Sequence, residues 1–274
     1  MRFRLYKEHG AMNSKLVFDA FEMGLLRCGH TVVETDSDID VIWSVLWKGR
    51  MKANEVIYQK AILENKPIII LEIGSLIRGV TWKVALNHIN RLGVYGNTTE
   101  LDLDRPAKLG IRLNNNPPNN AKILLATQQP FSLQWQSQLP TNQWIANQIT
   151  LIRQYTDRLV IVRPHPRSPV IITKQNGVCL EVPNRVLNTY DDYDINYNYH
   201  CVINHNSGPA VQAAINGTPV VCDFTSLAYP VSDTIQNIDN PVLLDRDAWF
   251  LQLSHTEWTL DEIASGTPLI RILQ

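Results

Sequence analysis

No apolar run in the sequence approaches the ~20 residues needed to cross a bilayer. The basic start at Arg2 and Arg4 leads into no apolar stretch, so neither a membrane span nor a signal peptide is expected. Excess charge of one sign is also lacking: 25 Lys and Arg stand against 26 Asp and Glu, a net of -1. This argues against a protein that coats nucleic acid by charge alone, although a local basic groove stays open. Cysteine is sparse. Cys28, Cys179, Cys201 and Cys222 form no Cys-x-x-Cys pair, so a zinc knuckle is unsupported and buried thiols in a reducing, cytoplasmic compartment are expected. Charged residues make up 19% against 45% hydrophobic, the reverse of a disordered chain.

What is present is a repeated alternation. Short apolar runs at residues 2–5, 30–35, 40–46 and 67–72 alternate with helical patterns at 14–27 and 52–64. A polar, proline-bearing stretch over 112–120 reads as a linker. The alternation then restarts, with strands expected at 121–127, 158–163, 178–182, 200–204 and 218–223 and helices at 141–156 and 209–216; the end, 245–274, reads as partly helical. Strand and helix in alternation build a parallel sheet covered by helices. The expected fold is therefore α/β, with two Rossmann-like domains over 1–115 and 116–274 facing across a cleft. Ligands of such folds bind outside the carboxyl ends of the strands.

Two segments at strand ends carry chemistry. Arg163-Pro164-His165-Pro166-Arg167 follows the apolar run Leu159-Val160-Ile161-Val162. The prolines stiffen it, the arginines suit phosphate bidentately and His165 adds a hydrogen bond or a charge. A proline-rich surface turn is the alternative. The second segment, Asn204-His205-Asn206-Ser207-Gly208-Pro209, opens a helix rich in Ala and closes on Gly217-Thr218-Pro219-Val220. Ser207 is placed to cap that helix, Gly208 lets a ligand approach the backbone, and the helix start favours an anion. An ordinary βαβ crossover explains the glycines and alanines but not the Asn-His-Asn-Ser cluster.

Together, His165-Pro166 and Ser207-Gly208 through Gly217-Thr218-Pro219-Val220 resemble the donor-binding half of GT-B glycosyltransferases, especially the capsule-polysaccharide-synthesis type, over residues 121–225. The sequence departs from the wider pattern where a Glu often holds the donor ribose: Asp223 follows the last strand instead. Across the whole chain, Leu71-Glu72-Ile73-Gly74, Arg78-Gly79-Val80-Thr81-Trp82-Lys83, Lys108-Leu109-Gly110-Ile111 and the Arg163–Arg167 segment resemble bacteriophage glycosyltransferase-like proteins, some of which are held to decorate hydroxylated DNA bases.

The resemblance implies an inverting, metal-independent sugar transferase, hexosyl or pentosyl, with an acceptor-side domain at 1–115 and a nucleotide-sugar domain at 116–274. It needs no cofactor beyond the nucleotide-sugar co-substrate, and its acceptor is a surface glycan or a hydroxylated base in phage DNA. The donor side is expected to use Gln128, Gln129, Arg163, Arg167, His205, Asn206, Ser207, Gly208 and Asp223, with His165 assisting catalysis. Glu72 is the first candidate for the base that deprotonates the acceptor, with His9 and Asp19 in reserve. Its alternative role is a strand-end carboxylate paired with Arg78 or Lys83. Gly74, Gly79 and Trp82 suit a mobile loop with an aromatic platform for a sugar ring or base, a packed tryptophan being the other possibility, and Arg78 and Lys83 are placed on the acceptor side with Trp82, His9 and Asp19. Lys48, Arg50 and Lys52 form either an acceptor contact or a solvated face. The stretch holding Tyr190, Asp191, Asp192, Tyr193, Asp194, Tyr197 and Tyr199 lacks calcium-loop spacing and reads as an exposed loop, so no metal site is expected. A nucleotide-sugar epimerase on the same scaffold and a non-catalytic nucleotide-binding protein remain alternatives, and the oligomeric state stays open.

Overall fold

The computed structural model describes residues 1–135, 139–189 and 192–274. The chain divides into two compact units. The first comprises 1–111, 131–134 and 251–274; the second comprises 112–130 and 135–250.

The first unit opens with β1 (Arg2–Leu5), α1 (Lys15–Arg27), β2 (Thr31–Val32), β3 (Ile39–Trp43), α2 (Ala53–Leu63) and β4 (Ile68–Ile73). These strands lie parallel in the order β2-β1-β3-β4. β3 is buried along its whole length, as are Ile68 to Leu71 of β4, as expected of central strands covered on both faces. Phe18, Phe21 and Leu25 of α1 fill one face with Phe3, Val41 and Leu71, while Tyr58 and Ala61 of α2 close the other over Ile42, Ile68 and Ile70.

Two strands at one side of this sheet depart from the sequence expectation. β5 (Trp82–Leu86) folds back antiparallel on β4, so Trp82 is a strand residue rather than part of a mobile loop. After the short α3 (Arg105–Lys108) and the excursion through the second unit, the chain re-enters the first sheet. β11 (Glu257–Trp258) pairs antiparallel with β5, and α7 (Leu260–Ser265) and α8 (Thr267–Ile272) follow it. The expectation of a second half running to 274 placed this segment with the wrong sheet. Arg105 holds it in place: Nε donates to Ser254 O at 2.6 Å, Nη2 to Glu257 O at 2.7 Å, and the guanidinium lies 4.1 Å from the Trp258 ring centroid. Thr259 and Glu262 form a reciprocal cap that starts α7. α7 packs so close to α1 that a Cβ at Gly24 would overlap Ile263 O.

The second unit is a five-stranded parallel sheet. β6 (Ile123–Ala126) is followed by α4 (Thr141–Ile152), β7 (Val160–Arg163), β8 (Val178–Leu180), β9 (Cys201–Asn204), α5 (Gly208–Ile215) and β10 (Val220–Cys222), in the order β10-β9-β6-β7-β8. β6, β7 and β9 are buried throughout. Trp144, Ile145, Ile149 and Ile152 of α4 cover one face, and Ala210, Ala213 and Ala214 bring α5 close to the sheet. The chain leaves this unit within α6 (Asp247–Ser254). All four cysteines are free, and Cys179 is exposed rather than buried. No helix among the described residues is long and apolar enough to cross a membrane.

Candidate functional site

The strand order of the second unit reverses between β6 and β9: β7 and β8 lie on one side of this pair, β10 on the other. Such a reversal opens a crevice at the carboxyl ends of the two strands, because the connections leaving them run to opposite faces. Thr127, Gln128 and Gln129 follow β6 there; His205, Asn206 and Ser207 follow β9; Asp223 follows β10.

Amides lock these ends together. Gln128 Nε2 donates to Asn206 Oδ1 at 2.9 Å, and Asn206 N–H donates back to Gln128 Oε1 at 3.1 Å. Asn206 Nδ2 donates to Thr225 Oγ1 at 2.7 Å, and that hydroxyl donates to Asp223 Oδ1 at 2.6 Å. Gln128, Asn206 and Thr225 are buried, so this chain forms the base of the crevice. Thr225 is a member that sequence reasoning missed; its only signal is a place two residues after the strand-end Asp223. Asp223 also accepts from Thr225 N–H at 2.9 Å, which ties its carboxylate to the turn after β10. His205 is buried, with its ring edge-on to Trp135 at 5.4 Å. Burial lowers its pKa and the Asp223 charge opposes that shift, so the ring is neutral at neutral pH.

Ser207 stands at the N-cap position of α5, but its hydroxyl does not cap the helix. It is held by Asn204, whose Nδ2 donates to Ser207 Oγ at 3.1 Å and whose Oδ1 accepts the Ser207 N–H at 2.8 Å. The helix start is therefore left open. Gly208 N–H has no partner among the described residues, and Pro209 has no N–H to offer. An uncapped start with a free donor is an anion seat.

The Arg-Pro-His-Pro-Arg loop divides its roles differently from the expectation. Arg163 is buried at the end of β7. Its Nε and Nη2 donate to Glu181 at 3.1 and 2.5 Å, Nη1 to Asn196 O at 2.8 Å, and Nη2 to Tyr199 Oη at 2.7 Å. Every guanidinium nitrogen is engaged, so Arg163 anchors the segment after β8 and does not present itself to a donor. His165 is half-buried. Its N–H donates to Thr127 Oγ1 at 3.1 Å, and its Nδ1 receives the Arg167 N–H at 3.1 Å. Nδ1 thus acts as an acceptor, which leaves the ring proton on Nε2. Gln129 Nε2 lies 3.3 Å from the same Nδ1, while Gln129 Oε1 is buried without a partner among the described residues. Arg167 is exposed at the end of the loop.

In the first unit Glu72 lies near the carboxyl end of β4. Its Oε2 accepts from Ser44 Oγ at 2.6 Å and its Oε1 from Ile73 N–H at 2.8 Å. Enclosure by protein pushes its carboxyl above the usual range, against the pull of Ser44, the Ile73 and Val45 N–H groups and Lys83. Lys83 is directly across β5 from Glu72, and Glu257 is directly across from Lys83 on β11. Lys83 Nζ stands 3.9 Å from Glu257 Oε1. Glu257 is fully buried and accepts from Ser75 N–H, Ser75 Oγ, Leu76 N–H and Thr81 Oγ1 at 2.6 to 2.8 Å. A Cβ on Gly74 would overlap Glu257 and Thr81. The 74–81 turn is therefore fastened to β11 instead of forming a mobile lid.

The remaining candidates fall elsewhere. Trp82 pairs with Ile73 and Trp258 and packs on the core, so it is no platform; Arg78 is exposed in the turn before it. His9 is half-buried, stacked on Tyr6 with ring centroids 6.3 Å apart and 3.7 Å from Glu8. Asp19 lies on the exposed side of α1, 2.5 Å from Lys15 and 3.6 Å from Lys7; the Lys15 hydrogen bond holds its carboxyl below the usual range, which makes it a poor base. Asp194 is bound to Asn184 N–H and Nδ2 at 2.6 and 2.9 Å, while Tyr190 and Asp191 lie outside the described residues. Among the described residues no three His, Cys, Asp or Glu side chains gather where a metal ion could be held.

No protein-family model matches the sequence, and the search of curated proteins gives no match. Solved structures do match. Thermosulfurimonas dismutans KpsC, a beta Kdo 2,4 transferase, aligns with a TM-score of 0.52 at 11% identity over 96% of this chain and 98% of its own. A Thermosulfurimonas dismutans KpsC beta Kdo 2,7 transferase aligns at 0.46 and 12% over 98% and 99%. AviGT4, a glycosyltransferase involved in Avilamycin A biosynthesis, aligns at 0.37 and 11% over 100% and 98%. The first of these similarities shows a shared fold: an α/β chain with two Rossmann-like sheets, of the GT-B type.

Proposed function

We propose that this chain transfers a sugar from a nucleotide-sugar donor to an acceptor hydroxyl, with inversion and without a metal ion. The observation that carries the reading is the crevice at the β6–β9 reversal, where the amide network stands beside the uncapped start of α5. An anionic leaving group fits there. As the bond between the anomeric carbon and the phosphate oxygen breaks, the electron pair moves onto that oxygen. The Gly208 N–H, the dipole of α5 and the Arg167 guanidinium meet the growing charge, and His165 offers its Nε2–H. These donors do the work that a metal ion does in other transferases. Arg163 builds the loop rather than touching the donor.

The acceptor oxygen attacks the opposite side of the anomeric carbon and loses its proton to Glu72, whose carboxyl, raised above the usual range by burial, is a stronger base than an ordinary carboxylate. We assign the acceptor to the glycan class, since a net charge of -1 offers no general attraction for DNA. The cytoplasm, where nucleotide-sugars are made, is the proposed compartment.

Calorimetric titration with UDP, CDP, GDP and nucleoside monophosphates tests the donor side. One nucleotide should bind, and Arg167→Ala should weaken it about tenfold. A folded protein that binds none of them overturns the reading. Product analysis then separates the activities: sugar isomerised without acceptor indicates an epimerase, and transfer to hydroxymethylated DNA but not to glycan overturns the acceptor assignment. Turnover unchanged by a chelator is expected.

A further inference from the structure

Five non-glycine residues among those described have a positive φ: Asp36, Ser44, Asn65, Asn87 and Asn188. Four are Asp or Asn, whose short polar side chains tolerate the left-handed region; Ser44, at φ 63°, is the exception. It is also the buried one, at 4% exposure. A serine held in this conformation inside the protein costs free energy that the surrounding structure must offset, and such residues concentrate at functional sites.

The surroundings show what the conformation achieves. Ser44 follows the last residue of β3, and its N–H still donates to Leu71 O at 2.8 Å, which fixes its backbone to β4. The left-handed turn swings Oγ onto Glu72 Oε2 at 2.6 Å, and the same oxygen accepts the Leu46 N–H at 3.2 Å. With that lone pair taken, the hydroxyl proton is directed at the carboxylate. A carboxylate has about four acceptor positions. Ser44 Oγ occupies one on Oε2 and Ile73 N–H one on Oε1, which leaves one direction on each oxygen for an incoming proton. The charged groups facing Glu72 are Lys83 on β5 and, beyond it, Glu257 on β11; Arg78 is exposed in the turn that follows β4.

We propose that Ser44 is a positioning residue whose left-handed backbone aims its hydroxyl at Glu72 and so fixes which carboxylate lone pair receives the acceptor's proton. This rests on the reading of Glu72 as the base.

Ser44→Gly is the informative variant. Glycine accepts the backbone without strain, so a residue serving only as a turn would be replaced at no loss, or with a gain in stability. Ser44→Ala removes the hydroxyl and keeps the strain. The expected result is that both variants fold and that the Glu72 carboxyl resonance, in protein carrying 13C-labelled glutamate and assigned through Glu72→Gln, titrates about one pH unit higher in each. The acid limb of kcat for sugar transfer should move upward by the same amount, with kcat at the acid end reduced about tenfold and KM for the donor unchanged. An unchanged titration in Ser44→Gly overturns the proposal. Full transfer by Glu72→Gln overturns the base reading instead, and the two results are read from separate measurements.

Discussion

Lys83 and Glu257 face each other across β5 and β11 with Nζ and Oε1 3.9 Å apart, and both are buried. Glu72 lies on the other side of Lys83, so one ammonium serves two carboxylates on three neighbouring strands. Lys83→Met removes the cation and leaves Glu257 with its four hydrogen bonds but no counter-charge. Stability should fall by about 3 kcal/mol, read as a lowered midpoint of denaturant unfolding. The loss of a nearby positive charge also raises the Glu72 carboxyl, so the acid limb of the rate profile should move to higher pH. A midpoint equal to the wild type would show that the four hydrogen bonds alone sustain the buried Glu257 charge.

Arg163 and Arg167 belong to one loop and should behave in opposite ways. Arg163→Ala leaves Glu181, Asn196 O and Tyr199 Oη without their shared donor, at a cost of about 2–3 kcal/mol, while nucleotide affinity of the folded fraction stays unchanged. Arg167→Ala changes an exposed side chain, so its unfolding midpoint should fall less than that of Arg163→Ala while nucleotide affinity drops. Parallel denaturation and titration of the two variants test this. Weakened affinity in folded Arg163→Ala would return that arginine to the donor site.

The second sheet was largely legible because its central strands are buried on both faces and therefore read as unbroken apolar runs, as in Leu124-Leu125 and Ile161-Val162. The crevice was legible for the same reason: strand ends fix where Gln128, His165 and His205 must emerge. β5 was not, because Lys83 breaks its apolar pattern and is buried only through Glu257, far away in sequence. β11 is two residues long and gives no periodicity, although the Thr259-x-x-Glu262 cap after it marks where α7 begins. Arginine at a strand end suits phosphate, so the sequence alone points Arg163 at a ligand. Its partners Glu181, Asn196 and Tyr199 converge only through the long segment between β8 and β9. Ser44 left no trace in the sequence, since nothing about a lone serine foretells a left-handed backbone.

The Gln128–Asn206 pair should show strong coupling. Gln128→Leu strands the N–H and Oδ1 of Asn206, and Asn206→Leu strands Gln128 Nε2 and takes the donor from Thr225 Oγ1, so each single change should cost about 2–3 kcal/mol. The double variant removes both partners of the side-chain bond and should cost less than the sum by about 1–2 kcal/mol, measured by a double-mutant cycle on unfolding free energy. Additive costs would show that the two amides do not act as a unit.

Acid should weaken the fold before carboxylates begin to protonate. Burial lowers the pKa of His30, His88, His200, His205 and His255, so each resists protonation when folded. Below the ordinary histidine value of about 6.5 the unfolded chain takes up protons that the folded chain refuses, and stability falls as the pH drops. The loss continues until the folded pKa values are reached. Glu72 acts with the opposite sign: its raised carboxyl binds a proton more readily when folded, so it favours the fold at low pH and gives up that contribution as pH rises through its folded pKa. With five histidines against one such carboxyl, the melting temperature should decline from pH 7 to pH 5.5. His205→Asn should flatten part of that decline, because it removes one of the groups that must stay neutral. A melting temperature that is level across this range would mean that these rings protonate inside the folded protein as easily as in the unfolded chain.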